Sequence, residues 1–135
     1  MTVSDSPGTI LSQFKEKENR SLETIELAHT IVNALEDKKG EDILLLDIRE
    51  VAPLADYFVI CSGTSDRMLD ALVDGVQREV KKTHRLRPRI EGSPGDGWVL
   101  ADYGDVIVHL FSPTKRHFYR LEELWAEGKV VLHLQ

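Results

Sequence analysis

Several short stretches bring together side chains capable of chemistry. Residues 62–65 (SGTS) follow an apolar run and precede a helical pattern. Free backbone N–H groups at such a helix start can hold an anion. The spacing is neither GxxxxGK[ST] nor GxGxxG, and a Ser/Thr turn before a helix equally serves as an N-cap. Nucleotidyl transfer would also need two carboxylates two apart on one strand, so that both hold the metal ions clamping a triphosphate. Asp102 and Asp105 are three apart across a turn, and Asp96 lies in a loop. Cys61 sits in a strand-like run, where small buried cysteines are common, with His84 and His109 as the nearest histidines in sequence. A Cys/His nucleophile would need these brought together in space. His29 and His133 have no partners at metal-ligand spacing, so neither a metal site nor a cofactor site is expected. Lys81, Lys82, Arg85, Arg87 and Arg89 form the one basic cluster. It lacks interleaved aromatic residues, so a solvated face complementing a helix C-terminus is favoured over RNA contact.

The surrounding composition narrows the function classes. The chain has 135 residues, 41% hydrophobic and 30% charged, which suits one domain with a modest core. Its 17 Lys and Arg against 23 Asp and Glu leave a net charge of −6. That argues against a protein built to coat phosphate backbones and favours a basic protein partner. A single cysteine excludes an intramolecular disulfide, and no CxxC pair suggests structural zinc. No basic start leads into an apolar leader, and no run approaches the roughly 20 apolar residues that span a bilayer. A soluble, cytoplasmic protein without membrane contact is expected.

Residues 1–20 offer only Ile10, Leu11 and Phe14 for burial and are expected to be a mobile tail, leaving 21–135 as the domain. From Ser21, a candidate cap, Ile25, Ala28, Ile31, Val32 and Leu35 recur at helical spacing up to a stop at Gly40. The run Ile43, Leu44, Leu45, Leu46 reads as a strand buried on both faces, and YFVIC at 57–61 as a second. Thr64 or Ser65 caps the next helix, with Leu69, Leu72, Val73, Val76 and Val80 as its stripe, ending near Thr83. Residues 85–91, interrupted by Pro88, supply at most a short edge strand. Residues 98–102 and 105–111 alternate around Tyr103 and Gly104 as a tight hairpin. Ser112 and Pro113 open a last helix with Phe118, Leu121, Leu124 and Trp125 on its apolar face, and a further short strand is admitted at 130–134. The expected fold is α/β (α+β), a single domain with a mixed five-stranded sheet flanked by helices.

A two-residue turn between Asp102 and Asp105 pairs Ala101 with Val106, Leu100 with Ile107, Val99 with Val108 and Trp98 with His109. Val99, Ala101, Val106, Val108 and Leu110 then face the core. Trp98, Leu100, Asp102, Asp105, Ile107, His109 and Phe111 gather on the other face, as an interface or as a hydrated turn with Trp98 tucked under the last helix.

The segments SGTSDR (62–67), EG (91–92), WVLADYGDVIVHLF (98–111) and RHFYRLEELW (116–125) together resemble the ribosomal silencing factor family, also called Iojap-related proteins. The similarity extends from about Ser21 to Trp125, in order and at compatible spacing. It implies a nucleotidyltransferase-like fold without the catalytic carboxylates, and a regulator that is not an enzyme and needs no cofactor. By the same resemblance, the partner is ribosomal protein fourteen (uL14) on the intersubunit face of the large ribosomal subunit. Binding there blocks small-subunit joining and represses translation under nutrient limitation. The resemblance makes Trp98, Asp102, Tyr103, Asp105, His109, Arg116 and Tyr119 the contact residues, and it admits a homodimer. The competing expectation is a small nucleotidyltransferase-like enzyme holding phosphate on the 62–67 turn, and a third is ribosomal RNA contact through residues 81–89.

Overall fold

The apolar stripe that begins at Leu27 lies on the first helix, α1 (Pro7–Asp37), in a computed structural model that describes residues 7–51, 53–119 and 128–135, with side chains at 10–51, 53–116 and 128–135. The chain continues through β1 (Glu41–Asp47), β2 (Tyr57–Ser62), α2 (Asp66–His84), β3 (Arg89–Ser93), a 3₁₀ turn (Pro94–Asp96), β4 (Trp98–Asp102), β5 (Val106–Phe111), α3 (Pro113–Tyr119) and β6 (Lys129–Leu134). The strands form one sheet in the order β3-β4-β5-β2-β1-β6. Among the described strands only β2 and β5 run parallel, across the connection that contains α2. Among the described residues the sheet therefore has six strands where five are expected. Residues 129–134 pair with β1, Leu45 opposite Leu132, and supply the sixth.

Two apolar layers enclose the sheet. On one face Leu27, Ala28, Ile31 and Leu35 of α1 join Leu69, Leu72, Val76 and Val80 of α2 over Ile43, Leu45, Val59, Val99, Ala101, Val108 and Leu110. On the other, Leu44, Leu46, Phe58, Ile60, Ile107 and Phe111 cluster with Ile48, Ala55 and the half-buried Val51, Trp98 and Leu100. The run Ile43 to Leu46 is buried on both faces, as its unbroken apolar character requires.

The helices depart from their expected bounds in one place. Ser21 is not a cap. It lies inside α1, which starts at Pro7, because nothing between Gly8 and Gly40 breaks a helix once the packed half has nucleated it. All residues from Ile10 to Glu23 are exposed, so this extension adds no core. At the other end Lys39, at φ 62, takes the left-handed position, while Gly40 N–H donates to Leu35 O at 2.8 Å. Gly40 is required there for space, since a Cβ would lie 2.5 Å from Cys61 Sγ. Ser65 does cap α2, its hydroxyl accepting from Met68 N–H at 3.0 Å, and Ser112 Oγ accepts from Lys115 N–H at the start of α3. The expected positions Leu121, Leu124 and Trp125, and the Phe118 side chain, lie outside the described residues.

Candidate functional site

The hairpin formed by β4 and β5 is the element that positions the candidate contact residues. Its faces are those expected from alternation, but its register differs by two residues. Trp98 pairs with Phe111, Leu100 with His109, Ala101 with Val108 and Asp102 with Ile107. The turn is Gly104–Asp105, closed by Tyr103 N–H donating to Val106 O at 2.9 Å. Gly104, at φ 88, occupies the first turn position, the place where a primed hairpin turn takes glycine. Asp102 Oδ1 accepts from Gly104 N–H at 2.7 Å, which fixes that choice. Asp102 and Asp105 are therefore not cross-strand partners. A shift of two is one full strand period, so no side chain changes face.

The turn is pinned from below. Asp105 O accepts from Asp56 N–H at 2.8 Å and from Tyr57 N–H at 3.1 Å, while the Asp105 carboxylate is exposed. Burial, and then the Asp105 charge, push the Asp56 carboxyl above its ordinary value. Asp56, Asp102 and Asp105 thus make the turn an acidic tip. Tyr103 swings to the helix-covered face, packs on that core, and lines a groove of about 490 Å³ with Leu27, His84 and Asp105. Burial pushes its phenol up to about 12.

The other end of the hairpin is aromatic. Trp98 stacks on Phe111 with ring centroids 6.3 Å apart, and His109 lies 6.1 Å from Phe111 and 4.9 Å from Phe58. Gly92 carries φ 78 and would place a Cβ 2.4 Å from Trp98 O, so glycine there lets β3 lie against the Trp98 backbone. His109 is 6% exposed, and neither ring nitrogen has a hydrogen-bond partner among the described residues. Burial holds its pKa down at about 4, so the ring is neutral.

The seven sequence candidates thus divide. Trp98, Asp102 and Tyr103 are half-buried and Asp105 is exposed. His109 and Arg116 are buried, and the Tyr119 side chain lies outside the described residues. Arg116 Nη1 donates to Asp42 O at 2.6 Å and to Ser62 Oγ at 2.9 Å, and Nη2 lies 3.5 Å from Asp42 Oδ2. His133 Nε2 meets Asp42 Oδ1 at 2.6 Å, tying β6 to the same point. Sequence reasoning gave His133 no role, and only the β1–β6 pairing reveals one. The Asp42 carboxylate, held at φ 52 in the β1 bulge, is the hub of this support.

The features that suggested catalysis are engaged elsewhere. In the 62–65 turn, Gly63 N–H donates to Phe111 O, Thr64 N–H to Met68 Sδ, and Ser65 caps α2. Cys61 is fully buried in the helix-side core, and burial pushes its thiol up to about 12, while His109 points to the opposite face. His84 is engaged with Thr30 Oγ1 at 2.8 Å. No group of three or more His, Cys, Asp or Glu able to hold a metal occurs among the described residues, and none of their helices is long and apolar enough to cross a membrane.

The family model described as "Ribosomal silencing factor during starvation" matches residues 21–135. The ribosomal silencing factor of Bacillus subtilis is 39% identical over 95 residues, covering 70% of this chain and 80% of that one. Its counterpart from Halalkalibacterium halodurans is 36% identical over 106 residues, covering 78% and 91%. A crystal structure of a Chromobacterium violaceum protein superposes with a TM-score of 0.72 at 34% identity, covering 82% of this chain and 91% of that one. The sheet, the hairpin and these matches together make the chain a member of the ribosomal silencing factor family.

Proposed function

We propose that the protein binds the large ribosomal subunit through ribosomal protein fourteen (uL14) on its intersubunit face, prevents the small subunit from joining, and so represses translation under nutrient limitation. The observation that carries this reading is the silencing-factor match over residues 21–135, which includes the whole hairpin. The physical character of the hairpin supports it. Trp98 and Leu100 offer half-buried apolar anchors, and Asp56, Asp102 and Asp105 offer carboxylates suited to Lys or Arg on a basic ribosomal protein. The strand between them is five residues long, about 14 Å, well inside an interface of roughly 800 Å² per partner. Trp98, Asp102, Tyr103 and Asp105 are assigned to direct contact. His109 and Arg116 support them from within, and Tyr119 joins the contact from α3.

No bond-making step is needed. A 135-residue domain has a radius of gyration of about 14 Å, and a body that thick keeps two subunit faces from closing. The reading includes a homodimer, whose protomers separate before docking wherever they share the hairpin face. The test is sedimentation of purified large and small subunits with wild type and with Trp98→Ala, each verified as folded by circular dichroism. Wild type is expected to travel with the large subunit and suppress joining, and the variant to do neither. Undiminished joining in the presence of bound wild type would overturn the steric mechanism.

A further inference from the structure

The charge of the chain is unevenly spread. Five of its 17 Lys and Arg fall within residues 81–89, which contain no Asp or Glu, leaving 12 cations against 23 acids elsewhere. Lys81 and Lys82 end α2, Arg85 is its left-handed cap, Arg87 lies in the following linker and Arg89 opens β3. All five are exposed. Of these five, only Arg89 forms an ion pair with another described residue, Glu91 at 3.5 Å, both well exposed. Lys81 and Arg87 share a shallow groove of about 390 Å³ with Gln77, Leu86 and Pro88.

The helix dipole accounts for Lys81 and Lys82, but its influence fades within the last turn and does not reach Arg87 or Arg89. Cations also protect an edge strand from unwanted pairing, which explains Arg89 alone, since Arg87 precedes β3. The rim meets the hairpin at Arg89, on the sheet edge. Arg89 pairs in register with Asp102, and Ser93 with Trp98, so Arg89 projects from the same sheet face as Trp98 and Leu100. A partner seated on Trp98 brings its surroundings over this rim. A basic ribosomal protein would be repelled there, whereas a phosphate backbone would be held. No Phe, Tyr or Trp lies between Lys81 and Ser93, and His84 is engaged with Thr30, so the exposed cations favour contact with the phosphate backbone of a duplex over a stacked single strand.

We propose that Lys81, Lys82, Arg85, Arg87 and Arg89 form a second docking surface that takes the phosphate backbone of duplex RNA beside the hairpin contact. On the ribosome this rests on the reading that the chain binds the large subunit. The test pairs two titrations of wild type and of the triple variant Lys81→Gln, Lys82→Gln, Arg87→Gln, all at exposed positions. One uses large subunits and the other an isolated 20-base-pair RNA duplex, each across a range of KCl. Each phosphate contact contributes about 0.9 to the slope of log K against log salt, which is about five-fold in affinity at 0.15 M salt. The triple variant is expected to flatten the slope by about 2–3 and to bind subunits about a hundred-fold more weakly, with its circular dichroism unchanged. Duplex binding lost in the variant while wild type ignores subunits would sustain the RNA surface and sink the silencing reading instead. Equal slopes for the two proteins on both targets would overturn the RNA surface and leave the cations as edge protection. Wild-type binding to polyglutamate as tight as to the duplex would overturn it too, in favour of an acidic protein partner.

Discussion

Replacing Arg116 by alanine distinguishes a residue that touches a partner from one that builds the surface a partner touches. Its guanidinium is 8% exposed and joins the start of α3 to the β1 bulge and the end of β2. Among the described residues, two hydrogen bonds from a charged donor are lost, to Asp42 O at 2.6 Å and to Ser62 Oγ at 2.9 Å. Each contributes about 1.5 kcal/mol at the low end for charged groups, the fitting end here because half-exposed Asp42 is readily rehydrated. The ion pair to Asp42 Oδ2 spans 3.5 Å with Asp42 50% exposed, so it adds less than about 1 kcal/mol. Loss of the buried aliphatic stem adds about another 1 kcal/mol. The sum is about 4 kcal/mol, or a melting temperature lower by roughly 10–20 °C for a domain of this size. Urea unfolding followed by circular dichroism at 25 °C measures it. Arg116→Lys, which keeps the charge without the fork, should recover about half. In a double-mutant cycle with Ser62→Ala, the two changes should couple by about 1 kcal/mol. An unchanged urea midpoint for Arg116→Ala together with lost subunit binding would refute this account and make Arg116 a direct contact.

Three further outcomes follow from the same geometry. His109 stays neutral in the folded state down to about pH 4, whereas the unfolded chain takes up the proton near 6.5. More protons bind the unfolded state in that window, so stability should fall by on the order of 3 kcal/mol as pH drops from 6.5 to 4. His109→Leu should flatten that part of the profile, and a profile identical to wild type would exclude His109 as its source. Gly40→Ala should destabilise by about 1–3 kcal/mol because the new methyl meets Cys61 Sγ at 2.5 Å. Adding Cys61→Ala should recover part of that loss, and strictly additive effects would show that the two sites do not touch. The native Cys61 thiol should resist iodoacetamide at pH 8 and react fully in urea, as mass spectrometry would reveal, because it is buried with its pKa near 12.

The hairpin shows how much of this was legible beforehand. Alternation in residues 98–111 assigns Val99, Ala101, Val106, Val108 and Leu110 to one layer, and the structure buries them there. The register error of two residues did not disturb the assignment, because local periodicity sets the face while the turn sets the register. The caps Ser65 and Ser112 and the doubly buried run at β1 were equally readable, since each depends on neighbours within a few residues. The backward extension of α1 was not, because an exposed helix leaves no burial pattern to detect.

By itself, then, the amino-acid sequence determined the element types, the two faces of the hairpin, the acidic balance and the family resemblance. These reside in local spacing and in composition. Only the tertiary structure decided that His109 and Arg116 are buried, that Tyr103 turns to the helix side, and that residues 129–134 form the sixth strand. Each of these depends on partners distant in the chain. Arg116 reaches Asp42 across 74 residues and His133 reaches it across 91. A side chain's neighbours in space are set by sheet order and strand register, which emerge only when all six strands pack together.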